Sequence, residues 1–154
     1  MVFVADASAI LSGKDISGLE LYTTPSVLDE VRVGKRARLL GYMLEANLRV
    51  QPPQPGSIAA VRKKMDEMGD RVSKVDIEVL ALALDLKAVL LCDDYSMQNI
   101  ASELSIPFRP LSQRGIKRVV KYRYRCSGCG RFVKSEGDCP FCGSPVRRLK
   151  DVTH

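Results

Sequence analysis

Apolar and polar positions alternate along the first two thirds of the chain in blocks that predict strands and helices in turn. Val2–Ala5 is a short apolar run ending at Asp6, which predicts a buried strand. Thr24 is a suitable N-cap and Pro25 suits the first helical position, so a helix is predicted to begin there. Further helices are predicted over Leu39–Leu48, Ser57–Met68, Ser73–Leu86 and Tyr95–Leu104, and further strands at Arg49–Gln51, at Ala88–Cys92 and around Phe108.

Strands that alternate with helical patterns predict an α/β domain with a mainly parallel central sheet. This domain is expected over residues 1–112, followed by a basic linker over 113–121 and a small module over 122–154. The chain from residue 113 onward holds 11 of the 24 Lys and Arg residues but only 3 of the 18 Asp and Glu residues. The net charge of +6 therefore belongs to this tail, which indicates a nucleic-acid-binding appendage on a domain with a different task.

The apolar runs and the N-terminus give no sign of a membrane or secreted protein. No run approaches the roughly 20 residues needed to cross a bilayer, and Met1–Asp6 lacks the basic and long apolar regions of a signal peptide. We therefore expect a cytoplasmic protein with no membrane partner. In that compartment, paired cysteines bind metal more often than they form disulfides.

Four of the five cysteines form two CxxC pairs, Cys126 with Cys129 and Cys139 with Cys142. Thiolates suit Zn²⁺, and two CxxC turns supply the four ligands of a tetrahedral site. Because protein ligands fill every position, the predicted zinc is structural and not catalytic. A disulfide framework and a redox pair are the weaker alternatives. The fifth cysteine, Cys92, ends a buried strand and is predicted to be a small core residue.

Basic and aromatic residues crowd the segment that leads into the cysteine module, which favours an RNA-binding surface. Two interpretations of the aromatic residues stay open: they stack on unpaired bases, or they pack around a very small core. The candidate RNA contacts are Arg114, Lys117, Arg118, Lys121, Tyr122, Arg123, Tyr124 and Arg125.

Acidic residues follow two of the predicted strands and lie on two of the helices. Asp6 follows the first strand and Asp93-Asp94 follows the Ala88–Cys92 strand, and sites in open α/β sheets gather at such ends. Glu30 flanks the apolar stripe of its helix, and Asp76 lies in the first turn of another. Each also has a purely local interpretation. Ser73 and Asp76 fit a capping box, Asp94 fits an N-cap, Asp6 could cap a turn and Glu30 could be a surface residue.

Taken together, these acids predict a divalent cation, because like charges converging on one sheet edge repel each other without one. Oxygen ligands favour Mg²⁺ or Mn²⁺, and such an ion suits the hydrolysis of a phosphodiester. The only histidine is the C-terminal residue, His154, so the sequence gives no support for catalysis by a Ser–His or Cys–His pair.

Four segments resemble the acidic motifs of PIN domains, which are metal-dependent ribonucleases of the FEN-like, three-layer α/β type. They are Asp6-Ala-Ser8, Ser26-Val-Leu-Asp-Glu-Val31, Ser73-Lys-Val-Asp76 and Cys92-Asp-Asp-Tyr95. A PIN domain followed by a basic linker and a zinc ribbon is similar to the archaeal and eukaryotic Nob (Nin-one-binding) endonucleases, which mature the 3′ end of small-subunit rRNA. The segment Asp93–Asn99 resembles that family's stretch around the fourth acid.

This resemblance implies that Asp6, Glu30, Asp76 and one of the Asp93-Asp94 pair hold Mn²⁺ or Mg²⁺. Asp93 is favoured because Asp94 suits the helix cap. Cys92 stands where many PIN domains have Thr or Ser. The implied partners are precursor rRNA, the small ribosomal subunit precursor and assembly factors. Two alternatives are a toxin-type PIN ribonuclease acting on tRNA or mRNA, and a non-catalytic assembly factor on a PIN scaffold.

Overall fold

The computed structural model describes residues 1–11, 18–31, 41, 43–44, 46–111 and 119–153. Within these ranges, every predicted helix and strand outside 39–48 is present, with ends shifted by at most a few residues. The helices are α1 Ala7–Leu11, α2 Pro25–Val31, α3 Pro55–Met68, α4 Lys74–Leu86 and α5 Tyr95–Glu103. The strands are β1 Val2–Ala5, β2 Glu20–Thr23, β3 Leu48–Val50, β4 Val89–Leu91, β5 Phe108–Arg109, β6 Val119–Cys126, β7 Phe132–Val133 and β8 Val146–Thr153.

The first five strands form one sheet in the order β3-β2-β1-β4-β5, and every pair in it is parallel. This confirms the predicted α/β class. The chain moves outward from β1 through β2 to β3, and then returns to the other side of β1 to place β4 and β5. The strand order thus reverses between β1 and β4, and ligands of open α/β sheets bind outside the carboxyl ends of strands at such a switch point.

Apolar burial explains why the sheet and the helices pack as they do. Six residues of α4 are buried, so this helix lies inside the domain, as its apolar sequence predicts. Strands β1 and β4 contribute Val4 and Leu90, both with no exposed surface, to the same core. The ends of these two strands are therefore held in fixed positions relative to α4.

Two local predictions were wrong. Strand β2 pairs with both β1 and β3, although the sequence analysis assigned no strand between Asp6 and Thr24. Leu48, predicted to end a helix, begins β3 and is buried. Positions 41, 43, 44 and 46 are helical, and the rest of that predicted helix lies outside the described residues.

The cysteine module, residues 119–153, is a three-stranded antiparallel sheet in the order β7-β6-β8. Its central strand β6 contacts the first domain directly. The Tyr124 hydroxyl donates to the Gly69 carbonyl at 2.5 Å, and Lys121 pairs with Glu103 at 3.4 Å. Of the predicted linker 113–121, residues 113–118 lie outside the described residues, whereas residues 119–121 already belong to β6 and so to the cysteine module. No helix in the described part of the chain is long and apolar enough to cross a membrane.

Candidate functional site

Five acidic side chains surround one cavity of about 400 Å³ at the switch point of the parallel sheet. Strands β1 and β4 are adjacent with Ala5 opposite Leu91, so the residues that follow each strand emerge side by side. Helices α2 and α4 complete the wall. The acids that line the cavity are Asp6, Glu30, Asp76, Asp93 and Asp94. The structure therefore brings together all the carboxylates that the sequence singled out.

Asp6 is the most buried of these acids, with 6% of its surface exposed. Its Oδ1 accepts hydrogen bonds from the Ala9 N–H at 2.7 Å and the Ser8 hydroxyl at 2.9 Å. Burial, together with the smaller effect of the charges on Asp76 and Asp94, raises the pKa of Asp6 to about 6 against the lowering effect of its two hydrogen bonds. The cavity thus places negative charge where water cannot fully solvate it, and a bound cation would relieve this cost.

Asp76 caps its helix and also lines the cavity. The Ser73 hydroxyl accepts from the Asp76 N–H at 3.1 Å, and Asp76 Oδ2 accepts from the Ser73 N–H at 3.3 Å, which is a complete capping box. The same carboxylate lines the cavity and acts electrostatically on Asp6. The cap fixes the carboxylate at the start of α4, facing the acids of the strands.

The two aspartates after β4 hold different parts of the backbone. Asp94 Oδ1 accepts from the N–H groups of Ser96 and Met97, so Asp94 is the N-cap of α5 as predicted. Asp93 Oδ1 accepts from the Leu111 N–H at 2.7 Å and so ties the segment after β5 to the cavity. The charge of Asp94 also contributes to the raised pKa of Asp6.

The sequence analysis missed three polar side chains that support the acids. Ser8 donates to Asp6, Thr23 donates to the Ala5 carbonyl at 2.9 Å, and Gln98 donates to the Cys92 carbonyl at 2.9 Å. Thr23 and Gln98 have no exposed surface. Cys92 itself is buried, as predicted, and burial raises the pKa of its thiol well above its usual range.

The four cysteines of the CxxC pairs form a second candidate site. Their sulfurs lie within 4.8 Å of one another, with Cys126 and Cys142 at 3.3 Å and Cys129 and Cys139 at 3.8 Å. The Gly128 and Cys129 N–H groups point at the Cys126 sulfur. Among the described residues, this is the only group of potential ligands so close together, and it could hold a metal ion. The acids around the cavity are less tightly grouped.

The candidate RNA contacts divide into several environments. Arg114, Lys117 and Arg118 lie outside the described residues. Lys121 forms its ion pair with Glu103, and Tyr124 is only 5% exposed, so its ring packs between the two domains. These two side chains therefore contribute to domain contact.

The remaining candidates pair guanidinium groups with aromatic rings. Arg123 and Arg125 lie over the Phe132 ring, at 4.1 and 5.7 Å from its centre, and Phe132 is 52% exposed. Arg148 lies 4.2 Å over Tyr122. Arg131 lies 4.6 Å over Phe141, which is 65% exposed and which the sequence analysis did not consider.

Comparisons with known proteins agree with this architecture. A family model described as the PIN domain of ribonuclease matches residues 3–86, so the parallel sheet and the acidic cavity define a PIN domain. Four archaeal proteins named Endoribonuclease Nob1 are 35–43% identical to the chain. The Pyrococcus abyssi protein is 43% identical over 95% of this chain and 92% of its own length. The chain therefore belongs to the Endoribonuclease Nob1 family of PIN domain proteins.

Two further comparisons extend the relationship. A Ribonuclease VapC1 from Thermoplasma acidophilum is 35% identical over 98% of this chain and 79% of its own length. The structure of VapBC-1 from nontypeable Haemophilus influenzae matches with a TM-score of 0.59 at 13% identity, covering 73% of this chain and 100% of that one. At this identity the second likeness concerns the fold alone.

The buried Asp6 carboxylate gives a pH-dependent prediction for the protein without a divalent ion in the cavity. Because the folded-state pKa of about 6 exceeds the ordinary 3.8, the stabilising contribution of Asp6 is present below pH 3.8 and is lost as the pH rises through 6. Asp6→Asn keeps an acceptor for Ala9 and removes the charge. At pH 8 the variant is expected to gain up to about 3 kcal/mol in free energy of unfolding.

Chemical denaturation at several pH values in buffer free of Mg²⁺ and Mn²⁺ measures this difference. The gain should shrink toward zero near pH 4. A variant that is less stable than the wild type at pH 8, or a gain that does not change with pH, would contradict the assignment of a buried, strained carboxylate.

Proposed function

We propose that this chain is a metal-dependent endoribonuclease that cleaves precursor rRNA at the 3′ end of the small-subunit RNA. The observation that carries the proposal is the union of a five-acid cavity and a basic four-cysteine module in one chain of this family. The first supplies the chemistry and the second supplies a grip on RNA. A ribosomal precursor as substrate places the activity in the cytoplasm, with assembly factors as further partners.

The acidic cavity is proposed to hold Mg²⁺ or Mn²⁺, since all of its candidate ligands are carboxylate oxygens. A divalent ion bound there stabilises the negative charge that develops on a phosphodiester during hydrolysis. Asp6 and Asp76 both line the cavity, and the charge of Asp76 acts on Asp6, so these two acids are the proposed central ligands. Asp93 and Asp94 are both candidates for the fourth ligand, since both line the cavity and each also accepts hydrogen bonds from backbone N–H groups. Glu30 is exposed and closes the cavity from α2.

The cysteine module is proposed to hold one structural Zn²⁺. Tetrahedral zinc with Zn–S bonds of about 2.3 Å requires sulfurs about 3.8 Å apart. The separations of 3.3 and 3.8 Å are close to this value. The module has few buried apolar residues of its own, so bound metal would supply much of its folding energy.

RNA is proposed to bind along the exposed arginine–aromatic pairs of this module. A ring covered by a guanidinium on one face can stack with an unpaired base, and the arginine contributes charge to the phosphates. Phe132 with Arg123 and Phe141 with Arg131 are the pairs whose rings are most exposed. Tyr124, which is buried, is proposed to act in domain contact instead.

Cleavage of defined RNAs tests the proposal. The full-length protein would be incubated with a fragment spanning the 3′ end of precursor small-subunit rRNA, with tRNA and with mRNA, each with Mn²⁺ or Mg²⁺, and the product ends would be mapped. We expect one dominant cut in the rRNA fragment and little cleavage of the others. Preferential cleavage of tRNA or mRNA would support a toxin-type ribonuclease, which the similarity to Ribonuclease VapC1 keeps as the second candidate. Binding without cleavage of any RNA would indicate a non-catalytic assembly factor.

A further inference from the structure

Helix α5 begins at the acidic cavity, and a buried side chain on it holds the backbone that carries two of the acids. Gln98 has no exposed surface, and its Nε2 donates to the Cys92 carbonyl at 2.9 Å. That carbonyl immediately precedes Asp93 and Asp94. Because Asp94 also caps the first turn of α5, the acids after β4 and this helix form one rigid unit.

The next residue of the same helix holds the surface on which the cysteine module docks. Asn99 is buried and donates through Nδ2 to Asp70 Oδ2 at 3.0 Å. Asp70 is buried too, and its Oδ1 accepts from the Arg71 N–H at 2.8 Å. These two bonds fix the turn that follows α3, which contains Gly69 and Asp70.

The cysteine module contacts this turn at very short range. Gly69 accepts the Tyr124 hydroxyl hydrogen bond on its carbonyl, and its backbone has a φ of 68°. A Cβ placed on Gly69 would lie 2.1 Å from the Tyr122 carbonyl oxygen, so only glycine permits this approach. Lys121 adds its ion pair with Glu103, the last residue of α5. Strand β6 is thus attached to the first domain at two points, the Gly69 turn and the last residue of α5.

We propose that α5 sets the position of the RNA-binding module relative to the acidic cavity, and thereby decides which phosphodiester is cut. Asn99 and Tyr124 are positioning residues in this scheme, acting through the turn at Gly69. The cap Asp94 and the docking support Asn99 lie on one helix, only about 7 Å apart along its axis. The contacts of β6 with α5 and with the Gly69 turn therefore restrict which phosphodiester reaches the cavity.

This inference rests on the proposed function, and two variants test it. Tyr124→Phe removes only the hydroxyl that binds Gly69 and keeps the buried ring. Gly69→Ala introduces the clash with Tyr122. We expect RNA affinity and zinc content to stay within about twofold of wild type, while kcat falls about threefold in Tyr124→Phe. In Gly69→Ala we expect a fall of about tenfold, within the 10²-fold that a misplacement of about 1 Å can cause.

The decisive measurement is the distribution of product ends on the rRNA fragment. Both variants should spread the cut over several neighbouring positions, whereas the wild type gives one dominant end. Gly56→Ala is the control for an added methyl group, since a Cβ at Gly56 meets nothing within 4 Å. Gly137→Ala is the control for positive-φ strain, since its φ is 112° and a Cβ there also meets nothing. Neither control variant should broaden the distribution of product ends.

The outcomes separate the two proposals. A wild-type protein that cleaves no RNA overturns the proposed function. A wild-type protein that cleaves normally, together with single sharp ends and unchanged kcat in both Tyr124→Phe and Gly69→Ala, overturns the positioning role of α5. A higher KM without any change in the product ends also overturns the positioning role, because that pattern assigns the contact to RNA binding.

Discussion

Asp76→Asn is expected to abolish RNA cleavage, with a fall in rate of at least about 10³-fold, because stabilisation of the phosphate charge by the ion is worth several kcal/mol and each 1.36 kcal/mol is tenfold. The substitution removes the charge of a proposed metal ligand in the wall of the cavity. It preserves the helix cap, since an asparagine oxygen can still accept the Ser73 N–H that Asp76 now holds. The variant should therefore remain folded.

Single-turnover cleavage of the rRNA fragment in Mn²⁺ measures the loss, alongside RNA affinity and thermal unfolding. Asp85→Asn is the matched control: the same chemical change on the same helix, at the end where Asp85 accepts from the Gln54 N–H, away from the cavity. We expect the control to cleave at nearly the wild-type rate. If Asp76→Asn cleaves RNA at the wild-type rate, the acidic cavity is not the catalytic site.

Removal of zinc is expected to unfold the cysteine module and to weaken RNA binding by at least about tenfold at moderate salt. The physical reason is that metal binding supplies about 10–16 kcal/mol in small modules of this kind. Cys139→Ser removes one buried ligand and should act in the same way as a chelator. The salt dependence of RNA affinity should flatten too, because fewer phosphate contacts release fewer counterions.

Metal analysis, binding titrations at several salt concentrations and deletion of residues 113–154 check this expectation together. The deletion should reproduce the affinity and salt slope of Cys139→Ser. Cys92→Ser provides the control, since Cys92 is buried in the first domain and its loss should leave about one zinc per chain. Equal RNA affinity and slope with and without the module would place the RNA grip elsewhere.

The parts of the fold that local chemistry determines could be predicted from the sequence. The run Val2–Ala5, the cap at Thr24 and the capping box at Ser73 each carry their own signal, and each is present in the structure. Strand β2 carries a weaker one, because its four residues are stabilised mainly by pairing with two neighbouring strands. Pairing partners that lie far apart in sequence leave no periodic pattern.

The candidate site divides in the same way. Four of the acids could be predicted because each follows a strand or begins a helix, and parallel strands bring such positions to one edge. Glu30, near the end of α2, could be predicted because it flanks the apolar stripe of that helix. The contact of Asp93 with the backbone could not, since it depends on where Leu111 returns to the sheet. Nor could the separation of Tyr124 from Phe132, because only the docking of β6 on Gly69 buries one ring while the other remains exposed.

Strand β6 connects metal binding in the cysteine module with the docking of that module on the first domain. Tyr124, which attaches the strand to the first domain, lies two residues before Cys126, a candidate zinc ligand. A chain without zinc would therefore lose its hold on the Gly69 turn as well as its grip on RNA. Its acidic cavity would remain assembled, because none of its walls comes from β6. If the proposed function holds, loss of zinc would leave the acidic cavity able to cut RNA while the RNA-binding module no longer selects the phosphodiester.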